Sequence, residues 1–84
     1  MNTHELKTTP SFLYDIASGL KPFEARKNDR DFQVGDTLHL KGYEDDHYTP
    51  QELQAEVTYR LDGGQFGIEP GHCVMGIKVL NFNF

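Results

Sequence analysis

Cysteine, tryptophan and long apolar runs are scarce or absent in this chain of 84 residues. The single cysteine, Cys73, cannot form a disulfide within the chain, so packing has to stabilise the fold and a reducing, cytoplasmic location is expected. No apolar run approaches the roughly 20 residues that span a bilayer. Residues 1–7 also lack the apolar core of a secretory signal. We therefore expect a cytoplasmic, soluble protein with no membrane partner.

Metal-ligand patterns are missing as well. His39, His47, His72 and Cys73 show no spacing that is typical of a metal site. Adjacent His72 and Cys73 would face opposite sides of a strand. The acidic run at 44–46 lacks the alternating ligand positions of a calcium loop. We expect neither a metal nor another cofactor.

Basic residues are outnumbered, with eight Lys and Arg against thirteen Asp and Glu, and the formal net charge is −5. Such a balance weighs against indiscriminate binding to polyanions. Four of the eight basic residues nevertheless lie within ten positions, at Lys21, Arg26, Lys27 and Arg30. A locally basic cleft on an acidic body favours a short or unusual nucleic-acid target over long duplex.

A chain of this length forms one domain, residues 1–84. A helix is predicted from about residue 10 to 18, because Thr9 suits the N-cap and Pro10 the first helical position. Gly19 suits the left-handed position just beyond the helix end. Two pairs of side chains four residues apart form the apolar face of this helix: Phe12 with Ile16, and Leu13 with Ala17.

Alternating apolar and polar residues predict several short strands. These lie at residues 4–7, 23–26, 37–41, 55–61 and 74–80. The segment 42–51, which contains Pro50, is expected to be a polar, acidic loop. Residues 74–80 are the most continuously apolar and are expected to form the most buried strand, through the centre of the sheet. The fold class is therefore α+β, mainly β: a small β-barrel with one capping helix near the N-terminus.

The pattern Gly19-x-Lys21-x-x-Glu24-x-Arg26 resembles the signature of the ASCH domains, a branch of the PUA-like β-barrels. The continuation Lys27-Asn28-Asp29-Arg30-x-Phe32-x-Val34-Gly35-Asp36 is similar to the small family DUF3850. The resemblance covers nearly the whole chain. It implies a single PUA-like domain over residues 1–84.

The resemblance implies an RNA- or nucleotide-binding module whose basic cleft lies between the helix and the barrel. Arg26 would bind through its planar fork, Glu24 would accept from an exocyclic amine, and Lys21 would contribute charge. Glu24 and Arg26 share one face of a strand, so a structural ion pair is the alternative. Lys21 is equally favourable next to the C-terminus of a helix.

The turn that follows this strand adds Lys27, Asn28 and Arg30 as candidate phosphate contacts, although the neighbouring acids are also consistent with a solvated loop. Tyr43 and Tyr48 lie on the expected acidic loop, where exposed aromatic residues can stack on bases or pin the loop to the barrel. Phe32 is expected to be a packing anchor for the turn.

Some ASCH proteins are amidohydrolases that act on a modified cytidine, with a nucleophilic threonine three residues after the motif lysine. Here Lys21 matches, but the threonine position carries Glu24, so a covalent route is absent and catalytic residues are not expected. If the protein is an amidohydrolase or nuclease, Lys21 and Glu24 form its acid–base pair. A protein-interaction domain is a third possibility, based on the acidic loop and the Phe82/Phe84 tail.

Overall fold

The computed structural model describes residues 1–84 and arranges them as five strands and one helix. The elements in chain order are β1 (Thr3–Thr8), α1 (Pro10–Ala17), β2 (Phe23–Lys27), β3 (Thr37–Glu44), β4 (His47–Asp62) and β5 (His72–Asn83). All strands belong to one sheet with the order β1-β3-β4-β5-β2. The β1–β3 pair is parallel and the other pairs are antiparallel. The sheet curls into a half-barrel, which confirms the prediction of a mainly β, α+β domain.

The inner face of the sheet and one side of α1 enclose a core of 12 buried apolar residues. The neighbouring inner strands β4 and β5 contribute Leu53, Ala55, Val57, Cys73, Met75 and Ile77. From the helix, Leu13 and Ile16 pack against this layer. A helix of eight residues has little stability of its own, so it depends on this contact.

The ends of α1 follow the predicted chemistry. Thr9 occupies the N-cap and Pro10 the first turn, although the Thr9 side chain makes no capping hydrogen bond. Gly19 follows the helix with φ +86°, the left-handed conformation that glycine adopts without strain. The predicted apolar face was wrong at Phe12, which is 47 % exposed. Leu13 and Ile16 are buried against the sheet, and Ala17 is partly buried against the same core.

The predicted loop at 42–51 was wrong, because this segment is a hairpin between β3 and β4. Asp45 and Asp46 form its tip with positive φ angles of 52° and 61°, as two-residue hairpin turns require. Pro50 is accommodated because the β3–β4 register is interrupted at a bulge near Gly42, and β5 pairs with β4 only from Glu52 onwards. The backbones approach closely at this bulge: a Cβ on Gly42 would collide with the Thr49 side chain.

The prediction that residues 74–80 run through the centre of the sheet was also wrong. The central strand is β4, and β5 lies between β4 and the edge strand β2. Along β5, buried Cys73, Met75 and Ile77 alternate with more exposed residues. A continuously apolar sequence therefore does not identify the central strand here, because strand order depends on long-range pairing. The only helix, α1, is too short to cross a membrane.

Candidate functional site

The two edge strands, β1 and β2, are not paired with each other, and side chains bridge the opening between them. We call this boundary the seam. Arg26 Nη2 donates to the carbonyl oxygen of Lys7 at 2.8 Å and to Thr8 Oγ1 at 3.0 Å. Arg30 Nη1 donates to the carbonyl oxygen of Glu5 at 2.7 Å. Both predicted ligand-binding arginines thus bridge the seam.

Glu24 is a buried carboxylate next to the seam, with 3 % of its surface exposed. Lys21 Nζ donates to Glu24 Oε1 at 2.9 Å, and Arg26 Nε donates to Glu24 Oε2 at 2.7 Å. The predicted alternation of β2 is present, but the charged face points inward while Phe23 and Ala25 are exposed. A carboxylate tolerates this burial only when cations and hydrogen bonds compensate for its lost hydration.

A cleft of about 580 Å³, which we call the helix-side cleft, lies between α1 and the seam. Its lining residues are Lys7, Thr8, Thr9, Phe12, Lys21, Phe23, Glu24, Ala25 and Arg26. Lys21 Nζ lies 4.9 Å from the ring centre of Phe12 and 4.8 Å from that of Phe23. The cleft therefore combines charged groups with two exposed aromatic rings, which suits a planar polar ligand.

A second cleft of about 370 Å³, the strand-side cleft, opens on the β1 side of the seam. It is lined by Glu5, Leu6, Lys7, Arg26, Arg30, Lys41 and Tyr48. None of Lys7, Arg30 and Lys41 forms an ion pair. Three uncompensated cations thus surround one small depression, which favours an anionic ligand.

Both lysines of the strand-side cleft lie against tyrosine rings of the β3–β4 hairpin. Lys7 Nζ is 4.4 Å from the ring centre of Tyr43, and Lys41 Nζ is 5.2 Å from that of Tyr48. The two tyrosine rings meet edge-to-face with their centres 5.1 Å apart. The hairpin therefore places aromatic surface directly beside the cations.

The structure brings six of the eight predicted site residues to the seam. Lys21, Glu24 and Arg26 line the helix-side cleft, whereas Arg26, Arg30 and Tyr48 line the strand-side cleft. Tyr43 lies beside the latter through its contact with Lys7. Both tyrosines belong to strands and not to the predicted loop.

Lys27 and Asn28 line neither of the two seam clefts. Lys27 lines a third cleft, of about 560 Å³, together with Ile68, Glu69 and His72. Asn28 Oδ1 accepts a hydrogen bond from the backbone N–H of Phe32 at 3.0 Å. Phe32 is fully buried, which confirms its predicted role as the packing anchor of the turn.

Sequence reasoning missed Lys7, Thr8 and Lys41. Their positions depend on the parallel register of β1 and β3, in which Lys7 lies opposite Lys41. Both strands alternate, with buried Leu6 and Leu40 next to outward-facing lysines. The alternation was visible in the sequence, but the pairing that joins residues 34 positions apart was not.

A buried polar pair outside the clefts was missed as well. His4 Nε2 lies 2.9 Å from Asp36 Oδ2, and the backbone N–H groups of Asn2 and Gln33 donate to the same carboxylate at 3.0 Å each. Burial acts to raise the pKa of Asp36, but these hydrogen bonds and the nearby His4 lower it to about 2. The carboxylate therefore stays ionised and ties the N-terminus to the turn before β3.

Two further observations concern metal ligands and the single thiol. No group of three His, Cys, Asp or Glu side chains is placed to hold a metal ion. Burial raises the pKa of the Cys73 thiol, which packs in the core. Its thiolate is therefore disfavoured as a nucleophile.

The aromatic tail lies on the same side of the molecule as α1. The Phe84 ring meets that of Tyr14 edge-to-face at 4.7 Å, and the Phe82 ring lies 4.8 Å from that of Phe84. All three rings remain about half exposed. They form a small aromatic patch separate from the residues that line the two seam clefts.

Comparison with known proteins gives one family. No curated protein matches the chain. The model of a domain of unknown function, DUF3850, matches residues 3–77, a span that includes β1 to β4, the helix and both seam clefts. The chain therefore belongs to the DUF3850 family.

Proposed function

We propose that this domain is a PUA-like module of the ASCH type that binds RNA or a nucleotide at the seam. The curled, mainly β sheet with one helix is compatible with that superfamily. Supporting this proposal, Lys21, Glu24 and Arg26 of the ASCH-like pattern all line the helix-side cleft, where the expected ion pair between Glu24 and Arg26 also forms. Their contact also explains why these residue types occur together.

The observation that carries the proposal is the collection of cations at the strand-side cleft. Lys7, Arg26, Arg30 and Lys41 come from β1, β2, the turn after β2, and β3, in a chain whose formal net charge is −5. Positive charge gathered on an acidic body gives a local field that attracts anions, and the acidic remainder discourages non-specific binding. The adjacent tyrosines add surface on which a base can stack.

The helix-side cleft supplies groups that suit a nucleobase. The rings of Phe12 and Phe23 offer apolar and π surface at its rim. Glu24 already accepts from Lys21 and Arg26, but a carboxylate has about four acceptor sites and can also accept from an exocyclic amine. This combination favours a base that carries an amino group.

The test is a binding titration with a mixed panel of single-stranded RNA oligonucleotides and nucleotides. Fluorescence anisotropy measures the affinity at several salt concentrations. Binding should weaken with salt, and Arg30→Gln should reduce the slope of log affinity against log salt by about 0.7. Arg26→Gln should weaken binding more than Arg30→Gln does. Thermal unfolding verifies that both variants are folded.

Lys78→Gln is the matched control, because Lys78 is an exposed lysine on β5 that lines neither seam cleft. It removes the same charge and should leave the affinity within about twofold. Absence of affinity for every member of the panel would remove the proposed function. Equal losses in Lys78→Gln and Arg30→Gln would also contradict it, because the effect would then be one of overall charge.

Hydrolysis of a modified nucleoside or RNA is the second candidate, favoured by the contact between Lys21 Nζ and Glu24 Oε1 at 2.9 Å in a cleft. Glu24 would activate water while Lys21 stabilises developing charge. Lys21→Ala and Glu24→Gln should then each abolish turnover of acylated cytidine in protein that remains folded. Wild-type protein that binds such nucleosides without converting them would exclude this candidate.

A further inference from the structure

Two lysines of the strand-side cleft lie opposite each other, although neither of them packs in the core. Lys7 and Lys41 are direct partners in the parallel register of β1 and β3, and both point away from the core. Like charges that lie directly opposite each other on a sheet destabilise it. An anion bound between the two ammonium groups would remove this repulsion.

The nearby carboxylates lie next to His39 and form no ion pair with these lysines. Glu52 Oε1 lies 2.8 Å from His39 Nε2, and Glu5 Oε1 lies 3.6 Å from His39 Nδ1. Glu52 is the cross-strand partner of Lys41, yet Lys41 Nζ lies over the Tyr48 ring instead. The lysine charges therefore remain available to a ligand.

Two arginines complete the set of cations around the cleft. Arg30 lines it and uses Nη1 to bind the Glu5 carbonyl oxygen, without a carboxylate partner. Arg26 also lines it, but its charge is offset by Glu24, which Lys21 shares. Among the charged groups that line the cleft, Glu5 is the single acid against four cations.

Four cations line one depression of about 370 Å³. A site that tracks a nucleic-acid backbone distributes its cations along the strand. Convergence suits one compact group with more than one negative charge, as a phosphomonoester has near neutral pH. The positions of Lys7 and Lys41 over tyrosine rings also restrict where their ammonium groups lie.

We propose that the strand-side cleft is a subsite for a terminal phosphate, the phosphomonoester of a nucleotide or of an RNA end. The inference rests on the proposed function, because the rest of the ligand would occupy the helix-side cleft. Lys7 and Arg26 line both clefts, so the two subsites are contiguous across the seam. The ligand class is thereby narrowed from RNA in general to nucleotides and RNA with a phosphorylated end.

The experiment compares one RNA oligonucleotide in three forms, with a 5′-phosphate, a 3′-phosphate or two hydroxyl ends, together with a nucleoside and its monophosphate. The wild-type protein should bind one phosphorylated form about tenfold more tightly than the hydroxyl form. The double variant Lys7→Gln/Lys41→Gln should lose this preference, because its affinity should fall more for the phosphorylated form than for the hydroxyl form. Lys78→Gln should keep the preference.

The stability of the double variant provides a check on folding. Removal of two opposed like charges should leave the melting temperature of the unliganded protein unchanged or raise it. If the protein prefers a monophosphate over its nucleoside as strongly as it prefers a phosphorylated oligonucleotide end over a hydroxyl end, the equal preferences support one shared phosphate subsite. If one preference is larger, the ligand that shows it is identified as the natural source of the phosphate.

Two outcomes would overturn this inference. Wild-type protein that binds RNA but makes no distinction between phosphate and hydroxyl ends would overturn the subsite and leave the proposed function standing. A phosphate preference that survives in the double variant would place the subsite elsewhere. Failure of the wild-type protein to bind any form would instead remove the proposed function itself.

Discussion

Asp36 holds the start of the chain against the turn that precedes β3. Its carboxylate accepts from the backbone N–H groups of Asn2 and Gln33 and contacts His4, whose ring packs edge-to-face on buried Phe32 at 4.8 Å. Three hydrogen bonds to one ionised group stabilise the charged form. One residue thus connects β1, the turn and the core.

The pKa of Asp36 predicts how stability changes in acid. It is lowered from 3.8 to about 2 in the folded protein. Folding therefore favours the ionised form, so the contribution of Asp36 is complete above pH 4 and is lost as the pH falls from 4 to 2. Urea unfolding of wild-type protein and Asp36→Asn across this range measures the effect.

We expect Asp36→Asn to be less stable than wild type near neutral pH by about 1–3 kcal/mol, because an amide is a weaker acceptor for these donors. The difference should narrow on acidification. Asp29→Asn is the control, since Asp29 is exposed and forms no ion pair. A constant difference between wild type and Asp36→Asn at all pH values would contradict the assignment.

At the scale of elements, the loop between β4 and β5 contains an unusual turn. Gln65 and Ile68 form an isolated bridge, and Ile68 N donates to the Gln65 carbonyl oxygen at 2.9 Å. The central residues Phe66 and Gly67 have φ angles of 52° and 77°, a combination that is typical of a type I′ turn. Phe66 is a poor residue for this position, and it is 85 % exposed.

Phe66→Asn should therefore stabilise the protein by about 0.5–1 kcal/mol, because asparagine adopts the left-handed conformation more readily than phenylalanine. Thermal unfolding monitored by circular dichroism measures the change. Tyr59→Asn, at another exposed aromatic residue but within a strand, should not stabilise it. A lower melting temperature in Phe66→Asn would show that the Phe66 ring contributes packing.

The β3–β4 hairpin is the element that links fold and candidate site. Its tip, at Asp45 and Asp46, sets the register in which Tyr43 lies opposite Tyr48. The bulge at Gly42 shifts this pair relative to the rest of β3. The tyrosines are thereby placed where Lys7 and Lys41 reach them.

At the scale of the whole molecule, stability depends on one core shared by the helix and the inner strands. Val57 of the central strand is fully buried within it. Val57→Ala should lower the free energy of unfolding by about 2 kcal/mol, through lost burial and a residual cavity. Ile77→Ala should have a similar or larger effect, because Ile77 belongs to the same core.

Equilibrium urea unfolding measures these losses, with Val34→Ala as the control. Val34 is 58 % exposed in the turn before β3, so its truncation should change stability by less than about 0.5 kcal/mol. Similar effects of Val57→Ala and Val34→Ala would contradict the single-core description.

Much of the architecture was predictable because it depends on local chemistry. Alternation identified strands, and Thr9, Pro10 and Gly19 marked the ends of the helix. The hairpin at 42–51 was missed because polar residues and a proline such as Pro50 are typical of loops. Its strand structure depends on the pairing of β3 with β4. The central strand was misassigned because apolar content does not encode strand order.

The sequence by itself determined the mainly β class, the helix and the cluster of charged residues at 21–30, since these follow from patterns within a few residues. It also carried enough of the family pattern to identify DUF3850. Tertiary structure alone decided that Glu24 is buried, that Arg26 and Arg30 bridge the seam, and that Lys7 lies opposite Lys41. These features require contacts between residues far apart in the chain, and local patterns contain no information about which distant partners meet.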